Sequence, residues 1–149
     1  MSVAVNAIHA LKALRAELLV KMFIQDLKPS QFLKAESDHL AFDFVVAFKK
    51  PDGGLKFCGI DVKQTDSVVN SKFRFRTSRR SIDAFKSNMP MIIIVADTKH
   101  NQLYYGLASE IEKVNGAHGP APLVVAVPVI AVSSAPADKR KFVESVLNS

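Results

Sequence analysis

At 149 residues, 48% of them in the hydrophobic set, the chain is long enough for one packed α/β core and too short for two ordinary domains, so a single domain over 1–149 is expected. Its 20 Lys and Arg against 14 Asp and Glu give a formal charge of +6, which favours polyanionic partners, nucleic acid ahead of a membrane surface. The single cysteine, Cys58, excludes an intrachain disulfide and has no zinc-ligand spacing around it; with no signal peptide or bilayer-length apolar run in view, a reducing, cytoplasmic setting without a membrane is expected.

Residues 7–27 read as a helix, because Ile8, Leu11, Leu14 or Arg15, Leu18, Met22 and Gln25 return with a helical period, apolar at nearly every return, and a second stripe, Ala10, Ala13, Glu17, Val20 and Ile24, runs beside the first. Two apolar stripes predict that most of this helix is covered. Pro29 ends it, and residues 30–39 read as a polar connection toward a sheet. Residues 41–48 alternate as a strand with both faces largely buried, residues 49–54 carry hairpin turn chemistry (Lys49-Lys50-Pro51-Asp52-Gly53-Gly54), and residues 55–65 run back antiparallel.

Residues 72–77 form a sharper strand, with Phe73 and Phe75 on one face and Lys72, Arg74 and Arg76 on the other. A short helix at 81–87, a buried strand at 91–97 and its neighbour at 102–107 follow, with a turn at 98–101 between the last two. Residues 114–122 are loop-like, 123–132 read as one further strand in which Pro128 marks an edge or bulge, and 137–147 close the chain as a helix. This order suits an α/β fold, a mixed central β-sheet flanked by helices, with a core over about 8–112 and a C-terminal strand and helix over 123–148.

Asp61-Val62-Lys63 lies at the end of the second strand, where a period of two puts both charges on the same face as Leu55, Phe57 and Gly59. Burying two ions there costs several kcal/mol each unless they pair or bind a metal. A hairpin centred near Asp52-Gly53 opposes residues summing to roughly 105, which brings Asp43 beside Asp61. Two adjacent carboxylates repel, and a hard divalent cation relieves them, so a Mg²⁺ (or Mn²⁺) site is expected with Lys63 as an adjacent ammonium.

Asp-x-Lys occurs twice more, in Asp26-Leu27-Lys28 and Asp97-Thr98-Lys99, but a helix end and a strand-to-turn junction make those most simply solvated charges. Glu17 interrupts an apolar stripe and is a candidate third acid, with a surface pair to Lys21 as the alternative. Glu36 and Asp38 are rivals in the connection ahead of Asp43. Lys72, Arg74, Arg76, Arg79 and Arg80 make the densest cationic patch, either a strip of phosphate contacts or an edge strand protected by charge.

Glu17 on a first helix, Asp43 at the start of a strand, Gly59-Ile60-Asp61-Val62-Lys63-Gln64 on the next, then Phe73-Arg74-Phe75-Arg76, Pro90 to Asp97 and Leu103-Tyr104-Tyr105-Gly106 resemble the PD-(D/E)XK, or restriction-endonuclease-like, nuclease superfamily, particularly archaeal-type Holliday-junction resolvases and small bacterial nuclease-like proteins. The resemblance covers about residues 8–112. It implies a restriction-endonuclease-like fold, with Asp43 and Asp61 as metal carboxylates, Val62 between them in the metal-binding set, Lys63 as the catalytic lysine and Glu17 as the helix acid. It also implies a phosphate contact for Gln64, although alternation puts Gln64 on the opposite face from Lys63. No Pro precedes Asp43, a departure the superfamily tolerates.

The activity so implied is metal-dependent endonucleolytic hydrolysis of phosphodiester bonds, in DNA more than RNA, with a homodimer or larger complex as the assembly. The alternative is an inactive nucleic-acid-binding module or subunit with the same fold.

Overall fold

The computed structural model describes residues 3–35, 42–78, 81–83, 89–114 and 123–149, and side chains from residue 6 onward. Helix α1 (Val3–Asp26) contains neither Gly nor Pro, and it stops where Lys28 takes φ 52° ahead of Pro29. Strand β1 (Gln31–Lys34) follows, then β2 (Phe44–Lys49) and β3 (Leu55–Thr65). Gly53 supplies the positive φ of 94° that the β2–β3 turn requires.

After β3 come β4 (Lys72–Thr77), β5 (Met91–Asp97), β6 (Gln102–Leu107), a 3-10 turn at Ala108–Glu110, β7 (Glu112–Lys113), β8 (Leu123–Pro128), β9 (Ile130–Val132) and helix α2 (Pro136–Leu147). Residues 81–83 are helical; the rest of the helix expected at 81–87 and most of the loop expected at 114–122 fall outside the described residues.

The strands form two sheets. Six make a mixed sheet in the order β1-β2-β3-β5-β6-β9, and three make a second sheet in the order β4-β8-β7. Among the described strands only β3 and β5 are parallel neighbours, so the chain between them crosses over, and it lays down β4 on the way. The α/β class and the mixed sheet flanked by helices are thus as expected, with one refinement: helices α1 and α2 cover the same face. Val20, Phe23 and Ile24 of α1 and Phe142 and Val146 of α2 pack with Phe44, Val46, Ile60, Ile92 and Ile94. The other face, carrying Met91, Ile93 and Val95, packs against Phe73 of β4 and Leu123, Val125 and Val127 of β8. Each large side chain withdrawn from water in these layers contributes about 1.5–3 kcal/mol.

Three expectations need correction. Residues 31–34 form an edge strand rather than a connection; its mostly exposed side chains left no hydrophobic pattern to read. Residues 123–132 are two strands in different sheets, because the chain leaves the small sheet at Pro128 and joins β6 at Ile130. Helix α1 is covered on one side only: Ala16, Val20 and Ile24 are buried, while the stripe from Ile8 to Met22 stays exposed. Among the described residues no helix is long and apolar enough to cross a membrane.

Candidate active site

The β2–β3 hairpin pairs Phe44 with Ile60 and Val45 with Gly59, so the next step of the ladder sets Asp43 beside Asp61. Asp43 sits just outside β2, where the ladder comes apart. Its N–H donates to the Ile60 carbonyl at 2.7 Å, its own carbonyl accepts from Ala35 N–H at 2.8 Å, and its Oδ2 accepts the amide N–H of Val62 at 2.7 Å. A side-chain carboxylate therefore continues the edge of β3 where the β2 backbone has left it.

Asp61 and Lys63 pair in register with Ile93 and Val95 of β5, whose side chains enter the layer between the two sheets. Lys63 Nζ lies 3.2 Å from Asp61 Oδ2 and 5.2 Å from the centroid of the Phe75 ring on β4, a cation–π contact that holds the ammonium under the small sheet. Burial pushes the Asp61 carboxyl up to about 7; Lys63 opposes that rise, and the neighbouring charge and hydrogen bond of Asp43 add to it. Asp43, Asp61 and Lys63 are thus brought together, two acids and one amine at the splayed edge of a hairpin.

Glu17 is not brought to them. It accepts an ion pair from Lys34 at 2.9 Å and a longer one from Lys21 at 3.6 Å, and the Lys34 hydrogen bond holds its carboxyl below the ordinary range. Lys21 in turn lies over the Phe44 ring, which belongs to the helix-side core, whereas Asp61 and Lys63 project from the opposite face. Glu36 and Asp38 lie outside the described residues.

Gln64 also projects on the helix side, where its Nε2 donates to Asp66 Oδ1 at 3.2 Å and Thr98 Oγ1 at 3.1 Å. Val62 packs its side chain on the helix-side core, and its backbone groups face the gap beside Asp43.

On β4 the expected alternation holds, with Phe73 buried and Lys72, Arg74 and Arg76 exposed. Phe73 and Phe75 stack with centroids 5.7 Å apart. The cations point away from Phe75 and hence away from Lys63, so strip and carboxylates occupy the two sides of one edge strand; Lys72 pairs with Glu112 at 3.8 Å. Arg79 and Arg80 lie outside the described residues.

Sequence reasoning mistook one acid. Asp97 is buried rather than solvated: its Oδ1 accepts the N–H groups of Lys99 and His100, and its Oδ2 meets His100 Nδ1 at 2.7 Å. Its position at the end of a continuous apolar strand ahead of a tight turn was the available signal for such a cap. Asp26, the other rival, is an exposed partner of Lys139 at 3.0 Å. Cys58 is buried, which pushes its thiol up to about 12 and removes it as a nucleophile.

The donor set at the hairpin edge suits a hard cation: two carboxylates made neighbours by the strand register, with the Val62 backbone alongside. Among the described residues no cluster of three His, Cys, Asp or Glu side chains is present. The chain matches no family model, and no curated protein is significantly similar to it.

Proposed function

We propose that this chain is a Mg²⁺- or Mn²⁺-dependent phosphodiester hydrolase of the PD-(D/E)XK type, with the restriction-endonuclease-like fold and nucleic acid, DNA first, as its substrate. The single observation that carries the reading is the convergence of Asp43, Asp61 and Lys63 on one hairpin edge. Asp43 and Asp61 would hold the ion, with the Val62 carbonyl as a further oxygen. Bound there, the ion would acidify an attacking water and neutralise charge building at phosphorus.

The remaining work falls to the chain itself. Phe75 and Asp61 both contact the Lys63 ammonium, so it is oriented before substrate arrives and can stabilise a crowded anionic phosphate. Burial raises the Asp61 carboxyl to about 7, so a cation held there would displace a proton from it below that pH. Lys72, Arg74 and Arg76 would track the backbone of the nucleic acid along the outside of β4 without reading sequence.

A second reading, a nucleic-acid-binding protein without turnover, is favoured by the engagement of Glu17 with Lys34 on the far face, which leaves the expected helix acid away from the pair. Purified protein incubated with DNA and Mg²⁺ decides between them. Cleavage that falls by about 10²–10³ in Asp61→Ala and Lys63→Ala supports hydrolysis. Equal cutting by either variant overturns the assignment, and salt-sensitive binding with no cleavage selects the second reading.

A further inference from the structure

Helix α1 is apolar on two opposite sides, and the fold uses one. Ala16, Val20 and Ile24 are at most 1% exposed, while Ile8 (53%), Leu11 (65%), Leu14 (53%), Leu18 (49%) and Met22 (67%) line the outer side. We propose that this outer stripe is a homodimer interface, in which α1 of one copy packs antiparallel on α1 of a second copy about a two-fold axis near Arg15.

Self-complementarity is what selects a second copy as the occupant. The stripe is flanked by two hollows of similar size, about 510 and 500 Å³. One adjoins Ile8 and Leu11 and is walled by Asp66, Thr98 and Lys99; the other adjoins Leu19 and Met22 and is walled by Leu103 and Val132. Between them Arg15 donates to Asn101 Oδ1 and bridges the groove at its middle.

A two-fold at that bridge carries the Met22 end of each copy over the Ile8 hollow of the other, and the Ile8 end over the Met22 hollow. Protrusions and sockets then exchange as an isologous contact demands.

Charge and area agree with that arrangement. Lys12 pairs with Asp66 at 3.0 Å and Lys21 with Glu17 at 3.6 Å, so cations flanking the stripe are engaged within their own chain instead of being set out for anionic lipid. Antiparallel helices also oppose their dipoles. At the stated exposures the five side chains present roughly 500 Å² of apolar surface, and the rims and hollows bring the face toward the ~800 Å² per partner of a standard interface. A patch of that size is at the upper end of what monomers leave in water.

Light scattering on the full chain over roughly 1–100 μM, a range that covers micromolar dissociation constants, tests the proposal. Wild type should show twice the chain mass at the upper end. Leu18→Glu should show the mass of one chain throughout with an unchanged circular dichroism spectrum, and the milder Leu11→Ser should weaken association at least tenfold should the glutamate variant fail to fold. Leu14→Cys, close to the two-fold, should form a covalent dimer under mild oxidation, because Cys58 is buried and does not compete. A wild type that stays monomeric, a dimer that survives the stripe substitutions, a dimeric Leu14→Cys that does not cross-link, or a monomer that binds anionic vesicles would each overturn it.

Discussion

The Asp43 carboxylate stands in for a strand carbonyl: its Oδ2 takes the Val62 N–H at 2.7 Å, at the point where β2 no longer pairs with β3. The same group would face the metal, so its two roles separate by substitution. Asp43→Asn retains a carbonyl acceptor for Val62 and should melt within about 0.5 kcal/mol of wild type, whereas Asp43→Ala leaves that amide without its acceptor and should cost about 1–2 kcal/mol. Under the nuclease reading both lose cleavage. Chemical denaturation beside a cleavage assay checks this, and equal stability of the two variants would show that the bond to Val62 carries no weight.

Asp61 makes metal-free stability depend on pH. Its carboxyl is raised from an ordinary 3.8 to about 7, chiefly by burial, so the folded chain holds the proton more tightly than the unfolded chain. The resulting stability is fully present below the unfolded value near 3.8, declines as pH rises toward 7, and is gone above it. Asp61→Asn should abolish that decline and gain stability relative to wild type as pH rises past about 7, because a neutral amide does not carry the cost of an ionised buried carboxylate. Urea titrations at several pH values measure both curves. Parallel curves for the two proteins would count against a raised carboxyl.

Metal binding should carry the opposite pH dependence. Where Asp61 is protonated the cation must displace a proton; above about 7 it need not. The melting-temperature gain from Mn²⁺ should therefore be larger at pH 8 than at pH 6, and absent in Asp61→Asn. Calorimetry in two buffers of different ionisation heat reads the released proton directly. A gain independent of pH would place the ion elsewhere.

The strip on β4 makes a separable prediction. Arg74 and Arg76 face outward, across the strand from Phe75 and Lys63. Each Arg→Ala change should lower the slope of log affinity against log salt by about 1 and weaken all DNA sequences alike, with cleavage of saturated substrate little changed. Fluorescence anisotropy over a salt series checks it. Unchanged slopes would leave these arginines as guards of an open sheet edge.

Much of this was legible in the chain wherever local pattern and tertiary packing coincide. The β2–β3 hairpin announced itself through Asp52-Gly53-Gly54 and gave the Asp43–Asp61 juxtaposition to within one residue of the observed register. The alternation of β4 gave its inner and outer faces, but nothing local told that β4 belongs to a second sheet, since a strand's partners are set by residues far away in sequence. Glu17 shows the same limit: its stripe placed it toward the sheet, and only the assembled layers reveal that α1 covers the face opposite Lys63. Both apolar stripes of α1 read as buried because periodicity reports that a face can be covered, and the neighbours decide which face is.

Gly106 provides the sharpest test of how the two sheets are joined. The chain crosses from β8 to β9 at Pro128, with Val129 N–H bonded to the Ser71 carbonyl at 2.9 Å, and β6 runs directly against that crossing. A Cβ on Gly106 would stand 2.4 Å from the Pro128 carbonyl oxygen and 2.8 Å from Val127 Cγ2, and the first of these is backbone that cannot swing aside. Gly106→Ala must push the crossing off β6 and should cost about 1–3 kcal/mol, or about 2–4 °C in Tm per kcal/mol at this chain length. Gly53 is the contrast: an added Cβ there meets nothing within 4 Å and only the φ of 94° opposes it, so Gly53→Ala should cost about 1 kcal/mol from backbone strain alone. Thermal melts of the two variants side by side separate packing from conformation, and a Gly106→Ala protein as stable as wild type would mean the sheets are not held at the spacing described.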